Sequence, residues 1–331
     1  MVQVSIIVPV FNACTFIRKC MDSVIVQTMT EGLECILIDD CSTDESVKVI
    51  NDYINENNCK GISFRLLRQD HNQGPSAARN RGIREARGGY LFFLDADDTI
   101  PPDCIELLYE LARKYDADYV QGKYNVNDNE GASCDTLRDE NENKNGKSGL
   151  PEFMDDRREI KRLLLNHNKI QFTPHNRLVR RKMIIDNDLF FNEEIKVRED
   201  FLWMTFVAKY VERFAFCEVP TYNRGYNEDS LTNHIDRERE IKGYRVLIET
   251  MVLNYDPFLL GYQKELALEA LIMALKAGFY HDKTERQHLI GTVNKGNSQL
   301  EKLILSLYFR TKSDTIKTKL LHFLIRVYKS K

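Results

Sequence analysis

Short, unbroken apolar runs and segments of helical period alternate along the first hundred residues, and few architectures accommodate that rhythm. Val4–Val10, Leu33–Ile38, Ile62–Leu67 and Tyr90–Leu94 read as strands, the first as one buried on both faces and the second as a further buried run. Phe16–Val26, Thr43–Ile54, Pro75–Ala86 and Asp103–Tyr115 carry apolar residues at helical spacing between and after them. Ser42 or Thr43 is the expected cap of the second helix, and Pro75 suits the first turn of the third. Strand–helix alternation with short loops predicts βαβ units, hence an α/β fold with a mostly parallel sheet flanked by helices. Ligands of such sheets lie beyond the carboxyl ends of the strands. The acidic clusters Asp39-Asp40 and Asp95-Ala96-Asp97-Asp98 fall there.

The rest of the 331 residues is less regular. Residues 125–149 are rich in Asn, Asp, Glu, Lys and Gly, which predicts a loop. An amphipathic helix is expected from Pro151 through Asn166, then strand and turn material through Phe191. A helix over Glu199–Tyr210 and strand-like pieces at Phe214–Phe216 and Val219–Tyr222 follow, and the text is helical from Asp236 to the end. The expected organisation is a domain over 1–234, divided into 1–103 and 104–234, and a helical C-terminal region over 235–331.

Composition removes several function classes. Lys+Arg 47 against Asp+Glu 50 lacks the basic excess of a general nucleic-acid binder. The eight cysteines include no C-x-x-C pair, so a zinc knuckle or dense disulfide framework is not expected. The chain enters its first strand without a basic leader, and no apolar run approaches the roughly 20 residues of a membrane span. These features predict a cytoplasmic protein. Between 302 and 331 stand eight basic residues and one acid, with Ile316, Leu320, Leu321, Phe323, Leu324 and Val327 on an apolar side. Such a helix either makes a peripheral contact with an anionic membrane surface or packs on the protein with its Lys stems outward.

The segment Leu91-Phe92-Phe93-Leu94-Asp95-Ala96-Asp97-Asp98-Thr99 admits two chemistries. Carboxylates two apart at a strand end diverge, so one can hold a sugar hydroxyl while the other reaches Mg²⁺ or Mn²⁺, ions that take oxygen ligands and bridge to phosphates. The same letters look like the nucleophile motif of haloacid-dehalogenase-type phosphatases, in which Asp95 would be phosphorylated and Asp97 would act as acid. Position counts against the phosphatase, because three strand–helix units precede the motif. A third class is a catalytically dead, nucleotide-binding scaffold.

Three further motifs bear on the choice. Val8-Pro9-Val10-Phe11-Asn12 closes the first strand, Ile38-Asp39-Asp40-Cys41-Ser42-Thr43-Asp44 closes the second, and Asn72-Gln73-Gly74-Pro75-Ser76-Ala77-Ala78-Arg79-Asn80 opens the third helix. With Asp95-Ala96-Asp97-Asp98 they resemble the inverting family 2 glycosyltransferases of GT-A fold, closely over residues 4–103 and more loosely to about 232. The resemblance implies a metal-dependent transfer, with Mn²⁺ or Mg²⁺, from a nucleotide sugar (a UDP-sugar) to a saccharide or lipid-linked acceptor in surface-polysaccharide assembly. It implies that Pro9 and Phe11 lie under the base, that Asp40 accepts the uracil N3–H, and that Asn72 neighbours the nucleotide. It places Arg79 near the diphosphate, Asp95 on the ribose, Asp97 on the metal and Asp98 beside it. Cys41 stands where the family usually has Gly.

Arg198-Glu199-Asp200-Phe201-Leu202-Trp203 resembles the family's Glu-Asp motif at a helix start, which implies Asp200 as general base and Glu199 as its neighbour. Acidic residues in a first helical turn also complement the helix dipole, with no catalytic role required. The stretch from His175-Asn176-Arg177-Leu178 to Phe190-Phe191 resembles the segment leading into that motif. Tyr222-Asn223-Arg224-Gly225 through Ser230 is similar to a tail segment in relatives, making Arg224, Ser230 and His234 further candidates near the diphosphate.

Overall fold

The computed structural model describes residues 1–57, 61–125, 148–165, 170, 173–195, 199–225 and 243–250, with Thr284, Gln287 and Leu320 singly. Residues 126–147 of the loop expected at 125–149, most of the helical region beyond 235 with its basic end, and the candidates Ser230 and His234 lie outside the described residues. Contacts divide the chain into two units, one of Met1–Glu193 with Asp200–Glu228, the other of Glu194–Glu199 with Asp229–Lys331. In the second unit, residues 243–250 are helical.

The first unit is built on one eight-stranded sheet. Its strands are β1 (Val4–Val10), β2 (Leu33–Asp39), β3 (Ser63–Arg68), β4 (Tyr90–Phe93), β5 (Tyr119–Tyr124), β6 (Phe153–Met154), β7 (Arg177–Arg180) and β8 (Phe214–Tyr222), in the order β3-β2-β1-β4-β7-β5-β8-β6. The first four are parallel to one another, as the alternation predicts. Beyond β4 the sheet is mixed: β7 runs antiparallel to both β4 and β5, β8 is parallel to β5, and β6 is antiparallel to β8. The strand-like pieces at 214–216 and 219–222 form the single strand β8.

Register decides where the site falls. Val10 pairs with Asp39 and Ile7 with Phe93, so the carboxyl ends of β1, β2 and β4 lie along one edge. The chain runs outward from β1 through β2 to β3, then returns to place β4 on the other side of β1. That reversal opens a crevice at the strand ends.

The helices are α1 (Ile17–Ile25), α2 (Ser46–Glu56), α3 (Pro75–Glu85), α4 (Cys104–Lys114), α5 (Arg157–Leu164), α6 (Arg181–Asp186) and α7 (Glu199–Tyr210). α1 buries Ile17, Cys20, Met21, Val24 and Ile25, the stripe expected of a helix laid on a sheet. α3 lies close against β1 because residue 82 is Gly: a Cβ there would stand 2.3 Å from Ile7 Cγ2. α2 begins later than its apolar period suggests. Neither Ser42 nor Thr43 caps it; Asp44 accepts hydrogen bonds from the Ser46 backbone and hydroxyl and from the Cys14 N–H, tying the helix start to the end of β1. The helix expected from Pro151 starts at Arg157, after β6, with the Asp156 carboxylate accepting from the N–H groups of Arg158 and Glu159. Cys14, Cys20, Cys35, Cys41, Cys104 and Cys217 are free thiols.

Candidate functional site

The crevice begins with two short, constrained turns. After β1, Phe11 stands 43% exposed, and Asn12 takes φ +50° with its side-chain oxygen accepting from Thr43 N–H. Pro9 is partly covered within β1. After β2, the buried Asp40 carboxylate gathers three donors: Gln69 Nε2 at 2.6 Å and Gln73 N at 2.8 Å on Oδ1, and Gly74 N at 2.7 Å on Oδ2. Asp40 therefore fixes the loop that starts α3, where Gly74 takes φ +93° and Pro75 follows. Cys41 adopts φ +61°, the left-handed conformation for which Gly is favoured, so the turn keeps its geometry without the glycine. Asn72 is exposed on the same loop.

One turn into α3, the buried Arg79 points at the end of β4. Its Nη2 lies 3.2 Å from Asp95 Oδ1, and its guanidinium covers the Phe191 ring at 5.5 Å. On the other side of Asp95, His175 Nδ1 lies 3.2 Å from Oδ2. Burial works against the charged form of Asp95, but His175 and Arg79 outweigh it and hold the carboxyl well below the usual range. Burial also pushes the His175 ring down to about 4, against the pull of Asp95, so the ring is neutral at pH 7.

Asp98 is buried and anchors the end of β8. Its Oδ2 accepts from Tyr222 OH at 2.6 Å and its Oδ1 from Gly225 N at 2.7 Å, while the Tyr222 hydroxyl also accepts from Asp95 N–H. Thr99 and Asn223 exchange two backbone hydrogen bonds beside them. A Cβ on Gly225 would stand 1.8 Å from the Asp97 carbonyl oxygen. Gly225→Ala should therefore drive β8 off the acidic turn and cost about 1–3 kcal/mol, the usual penalty of overpacking; urea unfolding beside the native chain measures it.

Burial first, then the charges of Asp95 and Asp97, push the Asp98 carboxyl up to about 7. The folded chain thus holds this proton more tightly than the unfolded one, whose carboxyl titrates near 4, and the contribution to stability falls as pH rises from about 4 to about 7. His175 acts with the opposite sign between about 4 and 6.5. In chelator, Asp98→Asn should gain on the native chain between pH 5 and pH 8 in urea midpoints. A gap that does not move with pH contradicts the raised carboxyl.

Asp200 and Glu199, both partly covered, open α7. Asp200 Oδ1 accepts from Phe201 N–H. Residues 200, 203 and 204 share one helix face, and their neighbours locate it. Trp203 donates to Leu189 O at 2.9 Å, stacks on Phe191 at 4.6 Å and meets the edge of Phe93, two residues before Asp95. Met204 Sδ lies 2.9 Å from Nη1 of the buried Arg177. Arg79, Asp95 and Asp98 are thus brought together directly, with Asp97 between the two acids in sequence. Asp40 serves the neighbouring loop, and Arg224 lies exposed at the end of β8.

Sequence reading assigned no role to His175, Tyr222, Gly225 or Asn80. Asn80 belongs to the quoted Ala-Arg-Asn motif; buried, it clamps Phe191 by exchanging side-chain bonds with its backbone N–H and carbonyl. Asp95, Asp98 and His175 offer three ligand atoms within 4.8 Å of one another, the group among the described residues that could hold a metal ion.

The family description "Glycosyl transferase family 2" matches residues 5–187. A poly(ribitol-phosphate) beta-glucosyltransferase of Bacillus spizizenii is 28% identical over 247 residues, covering 72% of this chain and 38% of that protein. The chain spans between 18% and 39% of the length of the curated relatives it matches. Among solved structures, Staphylococcus aureus TarS 1–349 with UDP-GlcNAc superposes with a TM-score of 0.67 at 20% identity, covering 99% of this chain and 91% of that one. The mannosyltransferase PcManGT from Pyrobaculum calidifontis, solved with GDP-Man and Mn²⁺, gives 0.53 at 13% identity, covering 99% and 88%. These likenesses establish the GT-A fold.

Proposed function

The chain belongs to glycosyl transferase family 2, and on that premise we propose that it transfers one sugar, with inversion, from a UDP-linked donor to a hydroxyl of a saccharide or lipid-linked acceptor in surface-polysaccharide assembly. The observation that carries this reading is the crevice at the ends of β1, β2 and β4, where an exposed aromatic ring, a braced carboxylate and the Arg79–Asp95 pair lie along one edge. The Bacillus relative's name supports a surface polymer, and the UDP-GlcNAc held by TarS supports a uridine donor.

In this reading Pro9 and Phe11 form the apolar floor for the base. Asp40 accepts the uracil N3–H on Oδ2, which takes one bond from Gly74 and has a lone pair left. Asn72 lies beside the nucleotide, and Asp95 takes a ribose hydroxyl. Asp97 and Asp98 would hold the divalent cation, Mn²⁺ or Mg²⁺, with Asp95, which the fold sets beside Asp98, as a shared carboxylate. Their donor set fits such an ion: converging carboxylates with a buried imidazole next to them. When bound, the ion neutralises charge on the diphosphate. Arg79 adds a fixed positive charge where the leaving group becomes more negative. Asp200 takes the proton of the acceptor hydroxyl, and Glu199 supports it.

The GT-A domain of 1–234, the helical region of 235–331 and its peripheral contact with the inner membrane face belong to the same proposal. Among the described residues no helix is long and apolar enough to cross a membrane. Family membership disfavours the dehalogenase-type phosphatase. Calorimetric titration with UDP, GDP and CDP, in Mn²⁺ and in EDTA, tests the reading. UDP should bind best and only with metal. Phosphate release from small phosphomonoesters without nucleotide binding would reinstate the phosphatase.

A further inference from the structure

His175 is buried, 4% exposed, and neither of its ring nitrogens has a hydrogen-bond partner among the described residues. Its Nδ1 stands 3.2 Å from Asp95 Oδ2 without making a hydrogen bond to it. An unsatisfied buried polar group is costly and calls for an explanation. Packing does not supply one. The ring stacks on Tyr222 at 4.8 Å and meets the edge of Tyr124 at 5.9 Å, contacts that a phenylalanine would make equally well.

The distances suit a shared ion. Two ligands at right angles around a cation at about 2.2 Å stand about 3.1 Å apart, and opposite ligands about 4.4 Å apart. The 3.2 Å between His175 and Asp95 matches the first figure, and the 4.8 Å envelope of the three ligand atoms admits the second. Each carboxylate keeps capacity for an ion: Arg79 approaches Asp95 Oδ1, while Tyr222 and Gly225 each donate one bond to a different oxygen of Asp98.

We infer that His175 is a nitrogen ligand of the divalent cation held with Asp95 and Asp98, and that it makes this site prefer a first-row transition ion such as Mn²⁺ over Mg²⁺. Mg²⁺ is a hard ion that favours all-oxygen surroundings, whereas transition ions accept imidazole readily. The inference rests on the donor-site reading above and adds to it the identity of the third ligand and the metal preference.

The experiment uses the full chain loaded with MnCl₂, with and without UDP, and reads the electron spin-echo modulation of the bound ion. Native protein should show ¹⁴N modulation that changes to the ¹⁵N pattern when the chain is labelled with [¹⁵N]histidine. His175→Phe, which keeps the stacked ring, should lose that modulation. Its Mn²⁺ affinity should fall about 10- to 100-fold, the scale on which ligand-shell changes act, while Mg²⁺ affinity barely moves. Metal-dependent UDP binding without histidine modulation in the native chain, or a His175→Phe variant with an unchanged Mn²⁺/Mg²⁺ ratio, overturns the inference and leaves the donor-site reading standing. UDP binding that is equal in EDTA, with no Mn²⁺ held, overturns both.

Discussion

Asp200→Asn should bind UDP as tightly as the native chain and transfer sugar about two to four orders of magnitude more slowly, the usual worth of a general base. The substitution keeps the shape of the side chain and its acceptor for Phe201 N–H, so the start of α7 is preserved. The helix itself is held elsewhere, by Trp203 against Leu189, Phe191 and Phe93. What disappears is the charge proposed to take a proton from the acceptor. Glu199→Gln should cost less if Glu199 only supports its neighbour. Turnover of both variants, measured beside their UDP affinity, separates the roles. An active Asp200→Asn with an inactive Glu199→Gln exchanges them, and two active variants place the base on another residue.

The parallel half of the sheet was legible because β1, β2 and β4 are buried on both faces and their sequences are largely apolar, interrupted only by Ser5, Glu34 and the terminal Asp39. α7 was legible to its ends, Glu199 and Tyr210. Of the mixed half only β8 was legible, as two strand-like pieces. β7 reads Arg-Leu-Val-Arg, and its first arginine, fully buried, lies over the Tyr119 ring and donates to the His175 carbonyl. Nothing local marks such a segment as an inner strand, because its place between β4 and β5 is set by pairing across the fold. β5 is polar enough at Gln121 and Lys123 to read as an approach to the following loop.

The site divides in the same way. Asp40, Arg79, Asp95 and Asp98 stand in short motifs at strand and helix ends, where sequence places them. Their partners come from far along the chain. Tyr222 reaches Asp98 across 124 residues, and Gly74 reaches Asp40 across 34. Sequence can name a carboxylate at a strand end, but whether it braces a loop, as Asp40 does, or anchors a distant strand, as Asp98 does, depends on which donors the fold brings to it. Cys41 shows the converse: the letter departs from the family pattern, while the left-handed backbone is retained.

Asp97 and Asp98 are adjacent and acidic, yet their removal should fail differently. Asp97 is partly exposed, and its carbonyl lies where Gly225 leaves room. Asp97→Ala should therefore unfold at nearly the native urea midpoint while metal-dependent UDP binding weakens at least about 100-fold, because the carboxylate proposed to meet the ion is lost. Asp98 is buried and satisfies Tyr222 OH and Gly225 N–H. Asp98→Ala leaves both donors without their acceptor, at about 1–3 kcal/mol each, so it should lose UDP binding and a substantial part of its stability together. Calorimetry with UDP and Mn²⁺, run beside urea unfolding in chelator, reads the two effects separately. If Asp97→Ala binds UDP–Mn²⁺ as the native chain does, Asp97 is not a metal ligand, and the ion is held by Asp98 and its neighbours Asp95 and His175. If Asp98→Ala is as stable as native, its bonds to the end of β8 carry no weight, and the acidic turn is held by the Thr99–Asn223 backbone pair alone.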